Sequence, residues 1–491
     1  MGNRTAVVTG AGIGGLAAAV RLAAKGYRVR VFDKSKATGG KLSELRHKGF
    51  RFDRGPSLLT LPHLVDELFT LCGEDPRDHF KYKRLELSCK YFWEDGTNIT
   101  AWQDKDRFTD EVMAKCGIKP ALLERFFKKS KDLYDLTAES FLLNSLHKPS
   151  NFLSPSFLKT MLNSYRLDAF VTMHTRNKSW FNDNKLVQLF DRYATYNGSS
   201  PYKTPATLNI IAHLEHTEGT WFPEKGIFDI AASITSLAEK MGVEFYLENE
   251  VREIVHSDFR VKGIKTDDMF VPAGIVVNNT DVNLFYTDLF KGSKMPRRLV
   301  SNERSTSALI FYWGVNRDEP RLQLHNILFS ENYREEFRHL FTYRTIFEDP
   351  TVYIYISSRA VTSDAPEGSE NWYVMINAPE NSGQDWEEMI PEARRNIIAK
   401  INRMLGIDIE KFITFESIAS PVTIEKETGS WNGSLYGISS NSMFAAFNRQ
   451  PNFRRRYENL FFTGGSVHPG GGMPLCLASA KIIDREIKVC T

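Results

Sequence analysis

The run from Thr5 to Asp33 restricts the fold more than any other part of the chain. Thr5 to Thr9 (TAVVT) predicts a short buried strand. Gly10, Ala11, Gly12, Ile13, Gly14 and Gly15 follow, and the spacing of Gly10, Gly12 and Gly15 fits G-x-G-x-x-G. Leu16 to Lys25, rich in Ala and Leu, predicts a helix that Gly26 ends, where a left-handed residue is commonly needed. A second strand is predicted over Arg28 to Phe32, with Asp33 at its end. Gly10 permits a tight turn, Gly12 lets the backbone approach a pyrophosphate, and Gly15 lets helix and strand pack closely. The helix N-terminus offers unspent N–H groups and partial positive charge to phosphates. Asp33, about 20 residues beyond Gly12, stands where a ribose hydroxyl is bound. A glycine-rich turn without a ligand is the bland alternative, but strand, turn, helix, strand and acid all occur in order. The N-terminal unit is therefore read as a dinucleotide site.

The other end of the chain has a matching organisation. Leu460 to Thr463 predicts a buried strand, followed by Gly464, Gly465 and then His468-Pro469-Gly470-Gly471-Gly472-Met473-Pro474. Leu475 to Ile487 predicts a helix, and Pro474 suits a first helical turn, where its missing N–H costs nothing. A second helix end thus aims at a ligand. Negative charge that builds on a bound group is stabilised by such an end. The backbone N–H groups of Met473 and Leu475 are the candidates for that role. A surface loop is the alternative.

Between these units, Gly39-Gly40-Lys41 is followed by Gly49-Phe50-Arg51-Phe52-Asp53-Arg54-Gly55-Pro56-Ser57. These motifs resemble the family of amine oxidases, protoporphyrinogen oxidases and phytoene desaturases. The C-terminal H-P-G-x-G-x-P is similar to the phytoene desaturase branch, the bacterial carotenoid desaturases. The block at 52–60 is most similar to the subgroup acting on 1-hydroxylated carotenoids at the 3,4 bond. The resemblance runs along the whole chain and is strongest at 5–60, 220–256 and 460–488.

The resemblance implies an α/β fold with a Rossmann-like FAD-binding domain of that type, a mixed-sheet substrate domain and a helical subdomain. FAD is the implied cofactor. Residues implied to face it are Gly10, Gly12, Ile13, Gly14, Gly15, Asp33 and Lys34 at the first turn. Gly40, Lys41, Leu42, Gly55 and Ser57 follow, with Lys41 near the pyrophosphate. Val251, touching the adenine side through its backbone, Asn279, Gly464, Gly465 and Met473 complete the set. Two positions depart from the family: Asp33 stands where Glu is common, and Lys41 where Arg is common. Lysine is a point charge without arginine's bidentate fork.

A chain of 491 residues exceeds what one core supports, so more than one domain is expected. The FAD-binding domain is assigned to 1–75, 222–300 and 455–491, and the substrate domain to 76–221 and 301–454. Within 222–300, Ile230 to Met241 predicts an amphipathic helix and Val243 to Leu247 a strand; Ile275 to Asp281 predicts a strand returning toward the cofactor. In the substrate domain, Leu309 to Val315, Thr351 to Ile356 and Asn371 to Ile376 alternate as strands that are apolar or aromatic on both faces. Tyr353 and Tyr355 share a face, which is either plain core or the wall of a tunnel for a long apolar substrate. Region 120–200 is helical and aromatic. There Phe157, Met161 and Tyr165, flanked by Lys159 and Arg166, form either a membrane-surface stripe or an ordinary packed face. Arg454 to Arg456 reads first as a solvated turn, and His468 first as a structural residue rather than a catalytic one.

Net charge is +3, which gives no reason to invoke nucleic acid. The five cysteines show no C-x-x-C spacing, so neither a disulfide framework nor a zinc site is expected. The glycines and Arg21 interrupt the first apolar run, and no stretch is long enough to span a membrane. The expectation is a cytoplasmic protein at the membrane surface that desaturates a carotenoid by hydride transfer to FAD. No metal is expected, and no catalytic acid or base is assigned. The alternatives are a flavin amine oxidase and a non-enzymatic lipid carrier on the same fold.

Overall fold

The computed structural model describes residues 4–490. Short apolar strands from distant parts of the chain meet in one six-stranded sheet. Its order is Phe453–Arg454, Tyr457–Phe462, Ile275–Asn278, Thr5–Thr9, Arg28–Phe32, Glu244–Tyr246. All neighbours are parallel except the edge pair Phe453–Arg454 and Tyr457–Phe462. Parallel strands buried on both faces need cover on each side. Helices Ile13–Ala24, Asp229–Lys240 and Met473–Asp484 supply one cover, burying Leu16, Ile234 and Leu477 in a shared core. On the other side, Val7, Val276 and Phe462 pack with Ile254, Val261 and Val271 of a three-stranded antiparallel sheet.

Helix and strand ends differ from expectation at the ligand-facing turns. The first helix starts at Ile13, not Leu16, so Gly14 and Gly15 lie in its first turn. The last helix runs Met473–Asp484 rather than from Leu475 to Ile487, and the preceding strand starts at Tyr457. Glycine is a poor helix former, which argues against it from sequence. Packing overrides that preference: a Cβ on Gly15 would lie 2.1 Å from the Gly10 carbonyl oxygen.

The second sheet has seven strands, ordered Ile413–Ala419, Ser307–Val315, Glu370–Ala378, Val352–Ile356, His325–Leu328, Leu87–Phe92, Asn98–Trp102. It contains the three strands expected from alternation. One face buries Leu309, Trp313 and Val374 against Ile397, Ile401 and Leu405 of helix Trp386–Leu405. The opposite face carries Ile310, Tyr373, Met375 and Tyr353 toward the core of the first unit. Helices Pro120–Thr137 and Asn184–Asp191 enclose a separate aromatic core with Phe126, Phe181 and Phe190.

Asp53, on strand Phe50–Arg54, ties the helix that covers the first sheet to the second sheet. Its carboxylate accepts from Ile227 N at 3.0 Å, Phe228 N at 2.9 Å, Arg51 Nη2 at 2.6 Å and Tyr355 Oη at 2.9 Å. This places the F-D-R-G-P-S block between the start of helix Asp229–Lys240 and the second sheet.

The expected stripe of Phe157, Met161 and Tyr165 is not one helical face. Ser154 caps a helix of only two turns, Pro155–Leu162, and Tyr165 falls in a separate turn, Ser164–Arg166. Phe157 is 9 % exposed and packs against Phe141 and Phe152. The outward apolar residues are Leu158, Met161, Leu162 and Tyr165, the last two 80 % exposed.

Candidate functional site

A cavity of about 590 Å³ starts at the C-terminal ends of Thr5–Thr9 and Arg28–Phe32 and continues over the inner face of the seven-stranded sheet. Gly10, Gly12, Ile13, Gly14, Asp33 and Lys34 line its start. Gly40, Lys41, Leu42, Gly55 and Ser57 line it further on, opposite Val251, Asn279, Gly464, Gly465 and Met473. Gly15 is not on the wall; it lies behind it, where helix meets strand. Leu475 is also off the wall, while Met473, Pro474 and Cys476 are on it.

Two helix ends open onto this space. In the first helix, Leu16 N is bonded to Gly12 O at 2.9 Å, which leaves the N–H groups of Ile13, Gly14 and Gly15 without intrahelical acceptors. In the last helix, Cys476 N is bonded to Gly472 O at 2.9 Å, which leaves the Met473 N–H in the same state. Asn279 joins the two turns. Its Nδ2 donates to Gly10 O at 3.2 Å and its Oδ1 accepts from Thr463 Oγ1 at 3.2 Å. A Cβ on Gly14 would lie 2.7 Å from Asn279 Oδ1 and 2.9 Å from Gly464 N; one on Gly12 would lie 3.0 Å from Asn279 Nδ2. Glycine is thus required here by space. The result is a floor of bare backbone with positive helix ends, which fits a dinucleotide diphosphate.

Asp33 shapes the turn while facing the cavity: Ala11 N donates to it at 2.7 Å and Ser35 N at 2.8 Å. Lys34 Nζ donates to Lys426 O at 2.7 Å. Lys41 is half-buried, and its Nζ donates to Leu435 O at 2.5 Å and Ser434 O at 3.4 Å. Burial lowers its pKa to about 8, against the opposing pull of Asp281. A lysine so held is charged at neutral pH and is poised to gain from a nearby anion.

Beyond Ser57 the wall becomes apolar. Ile310, Tyr373, Met375, Tyr353 and Ile327 line it strand by strand, so the inner sheet face is both core and cavity wall. Ser57 Oγ and Tyr353 Oη are 2.7 Å apart, and Tyr353 Oη and His325 Nδ1 are 2.8 Å apart. Burial lowers the His325 pKa to about 3, so the ring is neutral at physiological pH. The far end is polar, with Ser88, Cys89, Arg192, Tyr196 and Glu215. Sequence reasoning missed these residues. A single Arg and a single Glu, in separate helical stretches, carry no spacing that links them.

His468 is fully buried, and its Nε2 is 2.9 Å from Asn144 O. Burial lowers its pKa to about 3. It does not line the cavity, and its role is to hold the loop. Arg454 lies over the rings of Tyr286, Phe290 and Tyr457, and Arg456 over Phe259. Arg455 and Arg456 are exposed in a turn, as the sequence suggests, and only Arg454 is half-buried on its rings.

Residues 13–483 match the protein family described as flavin containing amine oxidoreductase. The chain is 47% identical over 479 residues to a 1-hydroxycarotenoid 3,4-desaturase of Flavobacterium sp. (strain P99-3), covering 98% of each. It is 30% identical to a 4,4'-diaponeurosporene oxygenase of Staphylococcus haemolyticus (strain JCSC1435), covering 100% of this chain and 99% of that one. Among solved structures, putrescine oxidase bound to putrescine superposes with a TM-score of 0.64 at 13% identity, covering 98% of both chains. That likeness concerns the fold alone.

Proposed function

The chain belongs to the flavin containing amine oxidoreductase family and, within it, to the carotenoid desaturases, and from that premise we propose that it is an FAD-dependent enzyme introducing C=C bonds into a long polyene, with 3,4-desaturation of a 1-hydroxycarotenoid as its reaction. The observation that carries this reading is one cavity joining two glycine-lined helix ends to an apolar sheet face.

Bound FAD supplies the hydride acceptor. The backbone of Gly10, Gly12, Ile13 and Gly14 would hold its diphosphate, with Lys41 adding positive charge. Asp33 and Lys34 would meet the ribose side, and Val251 the adenine side. Gly40, Leu42, Gly55, Ser57, Gly464, Gly465 and Met473 would border the flavin, with Asn279 bracing the turns. The sheet face orients the polyene and excludes water. The polyene itself delocalises the positive charge that builds as hydride leaves, so orientation and desolvation carry much of the task.

Amine oxidation fits less well. A substrate ammonium would seek a free buried acid, but Glu215 on this wall is already neutralised by Arg192. A carrier without flavin has no use for the bare backbone floor around Asn279.

Carotenoids dissolve in lipid, so the protein must collect substrate from a membrane. Among the described residues no helix is long and apolar enough to cross one. We read the exposed Leu158, Leu162 and Tyr165 as the contact of a cytoplasmic protein with the membrane surface.

The test is to load the protein with FAD and mix it, without oxygen, with liposomes holding a 1-hydroxylated linear carotenoid. Flavin bleaching with a red shift of the polyene band is expected. Flavin bleaching by an added amine with an unchanged carotenoid would overturn the assignment.

A further inference from the structure

The cavity wall is apolar along the sheet but ends in opposite charges. Arg192 and Glu215 both line it and both are buried. Glu215 accepts from Arg192 Nη2 at 3.2 and 3.1 Å, Ser88 Oγ at 3.0 Å and Tyr193 Oη at 3.1 Å, with Tyr196 Oη as a further donor. Arg192 Nη2 also donates to Tyr91 Oη at 2.7 Å, and the guanidinium lies over the rings of Tyr91, Tyr193 and Tyr196. Its Nε is buried without a protein partner, and 10% of the side chain stays accessible. Ser88, which helps hold Glu215, is on the strand two away from that of Tyr353.

Such a pair is costly to keep for stability alone, since a well-packed apolar substitute often does as well. A pure hydrocarbon sliding past it would strip water from charged groups and return no hydrogen bond. The ligand group that fits must be polar and neutral. A carboxylate would face Glu215, and an ammonium would face Arg192. A hydroxyl avoids both conflicts, accepting from a guanidinium N–H and donating toward the Tyr196 oxygen.

We propose that Arg192 and Glu215, with Ser88 and Tyr196, receive a hydroxyl at the end of the polyene and so select a terminally hydroxylated substrate over the same carotenoid without it. This rests on the desaturase function proposed for the cavity. A site built around a hydroxyl rejects the analogue lacking it, because its buried polar groups are left unpaired. Here the pair retains its own mutual hydrogen bonds in either case, so the expected preference is about 10- to 100-fold.

Two linear carotenoids differing only in a terminal hydroxyl would be given in liposomes to the FAD-loaded parent and to Arg192→Met and Tyr196→Phe. The ratio of kcat/KM for the two substrates is the readout, with equilibrium binding followed on the carotenoid absorption band. The parent should favour the hydroxylated compound at least 10-fold, mainly through KM. Arg192→Met should bring the ratio near 1. If Arg192→Met does not fold or take up FAD, Tyr196→Phe decides, and a threefold or larger fall in the ratio is expected. A parent active on both compounds without preference, or an unchanged ratio in the variants, overturns this inference and leaves the desaturase function standing. A parent inert on both removes the desaturase function as well.

Discussion

Asn279 donates from Nδ2 to the carbonyl of Gly10 at 3.2 Å, which binds the first glycine turn to the strand that returns beside it. The same side chain accepts from Thr463 at the second glycine turn. Removing it should loosen both turns at once. Asn279→Ala is expected to weaken FAD binding about 10-fold or more, equivalent to the loss of one to two net hydrogen bonds of about 1 kcal/mol each. Gly14→Ala attacks the same junction from the other side, since its Cβ would meet Asn279 Oδ1 at 2.7 Å. Both are checked by flavin-to-protein ratio after purification and by titration of the apoprotein. Full flavin occupancy in Gly14→Ala contradicts this account.

Lys41 makes FAD affinity depend on pH. Burial lowers its pKa to about 8, so above that pH the free protein has lost the charge that attracts the diphosphate. Binding must then take up a proton, and affinity should fall by up to about tenfold per pH unit above 8. Stability has the opposite sign. Between about pH 8 and the unfolded lysine value the unfolded chain holds more protons than the folded one, so this group's cost to the apoprotein shrinks as pH rises. Dissociation constants from pH 7 to 9.5, and the melting temperature difference between parent and Lys41→Met, test both signs. An affinity profile unchanged by Lys41→Met refutes the assignment.

Asp53 predicts a loss of stability rather than of chemistry. It takes four hydrogen bonds, from its own strand, the start of helix Asp229–Lys240 and the second sheet, and Arg51 beside it is itself buried. Asp53→Ala leaves that guanidinium with an incomplete partner set and should cost about 3–5 kcal/mol. Glu44→Gln, at the more open end of the same arginine, should cost about 1 kcal/mol or less. Denaturant midpoints rank the two, and equal effects would show that Asp53 is not the tie between that helix and the second sheet.

Both glycine turns were legible because each needs backbone without side chains at fixed spacing, and chemistry of that kind leaves a local pattern. Their boundaries were less so. Gly14 and Gly15 argue against helix by propensity, yet both are helical because Gly15 must meet Gly10 O. The alternating strands were legible, but not which face met the cavity; that depends on helix Trp386–Leu405 covering the other side. His468 read first as a structural residue, but its partner was not legible; only the fold shows its Nε2 turned to Asn144. Arg192 and Glu215 gave no signal, since their pairing is made by tertiary packing and not by spacing.

The proposed membrane contact is where the sequence pattern misled, and the exposed residues give a sharper experiment. Phe157 faces inward, so a charge there would damage packing and lower turnover for the wrong reason. Leu158 and Leu162 face outward, with Lys159 between them on the same short helix. Phe141 connects this region to Phe447, with ring centroids 6.5 Å from Phe157 and 6.1 Å from Phe447. Phe444 and Phe447 are exposed there too, which extends the apolar surface beyond one helix. Inserting Leu158 and Leu162 into the interface should contribute about 2 kcal/mol at roughly 25 cal/mol per Å², a reversible attachment. Leu158→Asp with Leu162→Asp should therefore reduce liposome co-sedimentation more than 10-fold and lower turnover of lipid-embedded carotenoid, with FAD content and melting temperature unchanged. Substrate delivered in detergent micelles should restore turnover, because the cavity and its cofactor site are untouched. If co-sedimentation and liposome turnover both equal the parent's, this surface is not the point of membrane contact.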